Sequence, residues 1–147
     1  MNKSKVIEKV KKKILKAEKS GDYSKIDSSL SKKRLDWLEN HIDDIKEKNP
    51  LKKAYLLLFK KLEIDLSEVP IVYENKKKIV WRSYNFCFVL EVCKELNLDT
   101  RRVCKEGYEN SVQEFVRRIN PKLKFSRNYK ILRPYGEYCE ETIEMTE

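Results

Sequence analysis

Along the first third of the chain, apolar residues recur at helical spacing among lysines and glutamates. Val6, Ile7, Val10, Ile14 and Ala17 predict an amphipathic helix from about Ser4 to Lys19. Gly21 and Asp22, with the serines from Ser28 to Ser31, read as a polar connector. A second helix is expected from Ser31 to Lys48, with Leu35, Leu38, Ile42 and Ile45 on one stripe and Trp37 beside it. Asn49-Pro50 ends that helix and starts another, because asparagine caps a helix and proline fits its first turn. The next helix, Leu51 to Leu62, is apolar nearly all round and should be the most buried.

From Pro70 the period changes. Ile71 to Glu74 and Ile79 to Tyr84 are β-prone runs separated by Asn75 and three lysines, which predicts an antiparallel hairpin. Val89, Cys93 and Leu96 then repeat at helical spacing, giving a helix from about Phe86 to Leu96 that turns Cys93 toward the core. Asp99 or Thr100 caps a further helix carrying Val103 and Cys104 and ending near Gly107. Ser111 and Glu114 form a capping box for one bearing Val112, Phe115, Val116 and Ile119. Leu123, Phe125 and Asn128 to Ile131 suggest one or two strand pieces, and Tyr138 to Met145 a closing strand with Cys139, Glu141, Ile143 and Met145 on one face. The expected fold is therefore α+β. A helical segment over 1–68 joins a cysteine-containing core over 69–147 in one compact unit, with about four antiparallel strands packed by helices.

Composition narrows the function classes. Charged residues make up 39% of the chain, well above the usual quarter, so its helices should be rich in ion pairs. No window resembles a membrane span or a secretory signal, and the expected compartment is the cytoplasm. The formal charge of +9 is uneven: residues 1–20 carry a net +6, while 137–147 hold five glutamates and no base. The basic arm lacks an aromatic residue to stack on a base, which argues against nucleic acid and for a docking or oligomer-forming helix. A non-catalytic binding protein that uses this arm is the third reading carried forward.

Four cysteines in a reducing compartment suggest thiols, ligands or a nucleophile rather than disulfides. Their C-x5-C-x10-C-x34-C spacing matches no paired zinc knuckle. Cys87 stands apart, because it falls in a helix's first turn away from the Cys93 stripe. There, backbone N–H groups and the helix dipole favour a thiolate, while Glu91 one turn later opposes ionisation. Arg82, Ser83, Tyr84 and Asn85 form the polar strand end that leads into this helix, and Arg82 would assist the thiolate. His41, the only histidine, reads as an exposed surface residue, so histidine-assisted catalysis loses support.

The segments SYNFCFVLEVCKELNLDTRRVC, VQEFVRRINPKLKFSRNYKILRP and YGEYCEETIE resemble the L-2-amino-thiazoline-4-carboxylic acid hydrolase-like family over roughly residues 83–144. Residues 1–68 contribute little to the resemblance, and Phe88 stands where that family often has proline. The resemblance implies a small cytosolic hydrolase acting on a C–N or C=N bond in a carboxylate-bearing substrate. It casts Cys87 as nucleophile and Glu91 as proton shuttle, with Tyr84 and Asn85 near the substrate and Arg82, Arg127 or Arg133 as its carboxylate partner. The resemblance names no cofactor. If Cys87, Cys104 and Cys139 converged instead as ligands, with a fourth from Cys93, substrate or solvent, the chain would be a zinc- or iron–sulfur-binding sensor module.

Overall fold

Asn2 begins the first helix by accepting the Lys5 N–H with its side chain. In the computed structural model, which describes residues 2–147, α1 runs Lys3–Ser20 and ends at Gly21, whose φ of 73° closes the helix in the left-handed region. Asp22 then accepts the Ser24 N–H at 2.9 Å, and α2 runs Ser24–His41, followed by a 3-10 turn at Ile42–Asp44. The connector expected at Ser28 to Ser31 is thus helical. Burial of Tyr23 and Ile26 anchors the chain before the serines, and tertiary packing overrides their weak preference for a turn. Asn49 caps α3, Pro50–Leu62, as expected, and that helix buries six side chains.

Two strands, β1 Ile71–Glu74 and β2 Lys78–Ser83, form the expected hairpin. After it come α4 Phe88–Leu96, α5 Thr100–Gly107 and α6 Glu109–Ile119, then β3 Leu123–Arg127 and β4 Cys139–Met145. All strand pairs are antiparallel, in the order β1-β2-β4-β3. Asn128 to Ile131 does not extend β3; the Asn128 side chain accepts the Lys130 N–H and turns the chain. The capping box expected at Ser111 is not used either. Helix α6 already starts at Glu109, and the Ser111 hydroxyl donates back to the Tyr108 carbonyl at 2.8 Å.

The apolar residues gather in two clusters. One lies between the inner sheet face and α3 and α6, centred on Trp81, which is fully buried against Tyr55 and Phe59 at ring-centroid distances of 5.5 Å. The other joins α1, the start of α2, α4 and α5 through Ile14, Ile26, Val92 and Val103. Since α1 packs on α4 and α2 on α6, the N-terminal helices complete both clusters rather than forming a layer of their own. Among the described residues no helix is long and apolar enough to cross a membrane.

Gly107 closes the second cluster by omission. A Cβ there would stand 2.8 Å from the ring of Tyr23, which is buried and donates its hydroxyl to Glu18 at 2.8 Å. Gly107→Ala should therefore lower the unfolding free energy by about 1–3 kcal/mol through overpacking. Gly136→Ala, whose added carbon meets nothing nearer than 3.9 Å, should be close to neutral. Urea titrations of the two variants check the contrast, and equal effects would refute the packing argument.

Candidate functional site at the polar end of the sheet

The alternation of strand residues puts Ile79, Trp81 and Ser83 of β2 on the inner face. By the same parity Leu123, Phe125 and Arg127 of β3 and Cys139, Glu141 and Ile143 of β4 join them, in the register Ser83 to Cys139 and Arg127 to Glu141. This face is apolar at one end and polar at the other. At the polar end Glu141, 9% exposed, accepts the Ser83 hydroxyl at 2.6 Å and the Arg127 guanidinium at 2.9 Å. Arg127 keeps one buried terminal nitrogen, Nη1, with no hydrogen-bond partner.

Helices close over this end. Cys87 is the N-cap residue of α4, one position outside the first turn, and is half-buried. Burial pushes its thiol up, while the Leu90 N–H, Arg133 and Arg127 pull the opposite way and lose. The helix terminus therefore does not make a ready thiolate here. Cys104 from α5 is pushed up to about 12 by burial, against the opposing pull of Arg127, with Cys87, Cys93 and Cys139 adding to the rise. Cys93 is buried in the second apolar cluster and pushed up to about 11 by burial. All four thiols are free. They act on one another, yet no group of three or more His, Cys, Asp or Glu side chains among the described residues is arranged to hold a metal ion. Their convergence is one of neighbourhood, without a ligand set.

A second buried cation enters from α2. Arg34 donates to the Ser111 hydroxyl, and burial followed by the nearby Arg127 charge draws its guanidinium down to about 10. Burial works against the charge on Arg127, but Glu141 together with Cys104 and Tyr129 outweighs it, and the proton is held more firmly than in an ordinary arginine. Of the two guanidiniums, Glu141 is thus paired with Arg127 alone, while Arg34 feels Glu141 and Asp27 without an ion pair to either. Tyr108 and Tyr129 complete the wall; burial pushes both phenols up, and Tyr129 donates to Glu109 at 2.9 Å.

The residues expected at the site are divided by the structure. Cys87, Cys104, Cys139, Arg127 and Arg133 come together. The Arg133 Nη1 donates to the Asn85 carbonyl at 2.7 Å, its backbone N–H points at Cys139 Sγ, and its Nε is buried without a partner. Asn85 itself bonds the Phe86 carbonyl. Arg82 and Tyr84 have the other strand parity and lie on the outer face, where the Arg82 guanidinium sits over the Tyr138 ring and Tyr84 stacks beside it. Glu91 is held by Lys94 at 3.3 Å, and the charges acting on Cys87 are those of Arg133 and Arg127 instead. His41 is on the surface, stacked on Trp37 and bonded to Asp44.

Arg34 and Tyr108 carry no sequence signal, and Ser83, Ser111 and Glu141 read in sequence only as a strand end, a cap and a strand-face residue, not as members of the site. One signal was there for Glu141, a carboxylate on the same strand face as Ile143 and Met145. Compared with protein-family models, with curated proteins and with solved structures, the chain has no match.

Arg127→Met should cost about 3–5 kcal/mol, because it strands a buried carboxylate, and adding Glu141→Gln should recover part of that loss; denaturant titration of the three variants checks the coupling. The thiols give the fold a pH limit. Unfolded cysteines ionise near 9.0, whereas folded Cys93 and Cys104 hold their protons to about 11 and about 12. Because the folded state binds these protons more tightly, their stabilisation is complete below pH 9 and is lost as pH rises toward 12. Urea midpoints between pH 8 and 12 should fall, and fall less steeply in Cys104→Ala.

Proposed function

We propose that the polar end of the inner sheet face binds a small carboxylate-bearing molecule and that Cys87 attacks it in a hydrolase-type reaction. The observation that carries this reading is the buried, unpartnered Nη1 of Arg127. Burying a cationic donor without a partner is costly, and a ligand carboxylate is the group that would satisfy it. Glu141 holds the other terminal nitrogen of that guanidinium at 2.9 Å, so the free donor is preorganised. The resemblance over residues 83–144 points to the same substrate class.

The protonated state of Cys87 sets the course of the reaction. A thiol that stays neutral is best matched by a substrate bringing its own base, such as the nitrogen of a C=N bond. Cys87 Sγ bonds to the C=N carbon as its proton passes to that nitrogen. The bond from that carbon to the ring sulfur of a 2-amino-thiazoline then breaks, the ring sulfur takes a proton from the amino nitrogen, and an S-linked isothiourea remains on Cys87. Water adds to the same carbon, one of its protons going to the imine nitrogen; the carbon–Sγ bond breaks, the second proton restores the thiol, and the oxygen remains as the carbonyl of an N-carbamoyl product. Arg133, beside Cys87, supports the anionic substrate, while Arg127 orients it.

A 2-amino-thiazoline-4-carboxylate is the substrate to use, with ring opening followed chromatographically. Cys87→Ala and Cys87→Ser should abolish turnover while retaining the native circular dichroism spectrum. Arg133→Met should raise KM by about tenfold, a loss of roughly 1.4 kcal/mol in binding. Full turnover by folded Cys87→Ala would remove the thiol from the mechanism.

A further inference from the structure

Helices α1 and α2 leave Gly21 in different directions, α1 to pack on α4 and α2 to pack on α6, and a groove of about 600 Å³ opens between them. Its floor is apolar. Val10 and Ala17 come from α1, Ile26 and Leu30 from α2, and the Tyr108 ring lies beneath. Its rim is basic, with Lys13 and Lys16 on one side and Lys25 on the other.

Among the described residues none of these three lysines forms an ion pair. Asp22, the one carboxylate in the lining, caps α2 through the Ser24 N–H and also feels the Lys25 charge, which leaves Lys13 and Lys16 as the uncompensated pair. Lys13 is also pressed against its own kind, since burial and then the neighbouring Lys33 and Lys9 pull its ammonium below the ordinary value. Most lysines of this chain form no ion pair, so what distinguishes these is their place together on the rim of an apolar groove.

Floor and rim together select the occupant. A neutral apolar molecule would bury the lysine stems and leave their charges uncompensated, whereas an inorganic polyanion would leave the apolar floor wet. The volume lies within the range of small-molecule sites. We infer that the groove between α1 and α2 binds a free, monomeric fatty-acid-like carboxylate, its chain along the Ala17, Ile26 and Leu30 floor and its head group between Lys13 and Lys16. This site is separate from the thiol centre and does not rest on the hydrolase reading.

Isothermal titration of the full chain tests it, using dodecanoate below its micelle concentration, dodecyltrimethylammonium as the charge-reversed control, and phosphatidylglycerol vesicles. Dodecanoate should bind with 1:1 stoichiometry and at least tenfold more tightly than the cationic analogue. The double variant Lys13→Glu with Lys16→Glu should weaken it at least tenfold, and Ser29→Trp, which fills the groove from an exposed lining position, should abolish it. Acetylation of wild-type chain mapped by mass spectrometry supplies a readout free of folding effects: dodecanoate should shield Lys13 and Lys16 but not Lys76 and Lys77 at the hairpin tip. Cys87→Ala should bind dodecanoate normally, so failure of the thiol chemistry and failure of this site are distinguishable. Equal affinity for the two amphiphiles would overturn the inference, as would binding to vesicles alone, unchanged binding by Ser29→Trp, or a sedimentation result in which Ser29→Trp converts a dimer to monomer.

Discussion

The buried ion pair between Arg127 and Glu141 is the constraint on which the polar end of this fold depends. A sheet face packed by helices is ordinarily apolar throughout, and here it is so from Ile79 to Trp81 and along Leu123 to Phe125. Introducing a carboxylate on that face requires a cation within hydrogen-bond reach, and antiparallel register supplies it by placing Arg127 opposite Glu141. Ser83 then takes the other carboxylate oxygen. Once this pair is in place, the groups around it must be polar or charge-tolerant, and Arg34, Ser111 and the thiols of Cys87 and Cys104 occupy those positions. The pair is poor evidence for extra stability, since its desolvation cost rivals its attraction. Its physical effect is to keep this end of the inner sheet face polar where apolar packing would otherwise continue.

Much of the fold was legible because periodicity and capping agreed. The hairpin, α3 with its Asn49-Pro50 start, the Asp99-capped α5 and the closing strand all carry both a pattern and a boundary residue. The start of α2 was not legible. Its serines look like a connector, and only the burial of Tyr23 and Ile26, which depends on α1, α5 and Gly107, decides for helix. The unused capping box at Ser111 has a similar cause: Ser111 is fully buried and accepts Arg34, so its hydroxyl serves a tertiary contact that no local pattern announces.

The candidate site was legible as a place more than as a set of residues. The hand-over from β2 to α4 holds Cys87 as expected, and Arg127 and Arg133 reach it from across the sheet. Strand parity separates the rest. Arg82 and Tyr84 differ from Ser83 by one position and so face outward, a distinction the sequence alone could have drawn had the inner face of β2 been anchored on Trp81. The expected benefit of the helix N-terminus for Cys87 also fails on magnitude: one backbone N–H and two nearby guanidiniums do not offset enclosure of the thiol.

Tyr108 is the residue that the two regions have in common. It lies at the break between α5 and α6, with φ and ψ of −128° and −27°, so the two short helices do not run on as one. The Ser111 hydroxyl bonds its carbonyl and Arg34 bonds Ser111, which ties the break to α2 through two successive contacts. The ring forms part of the groove lining, while Cys104 and Cys87 act on the phenol. Burial among neutral thiols, more than any fixed charge, is what keeps that phenol protonated. Tyr108 thus touches both the polar interior and the basic groove from a helix break that Arg34 holds through Ser111.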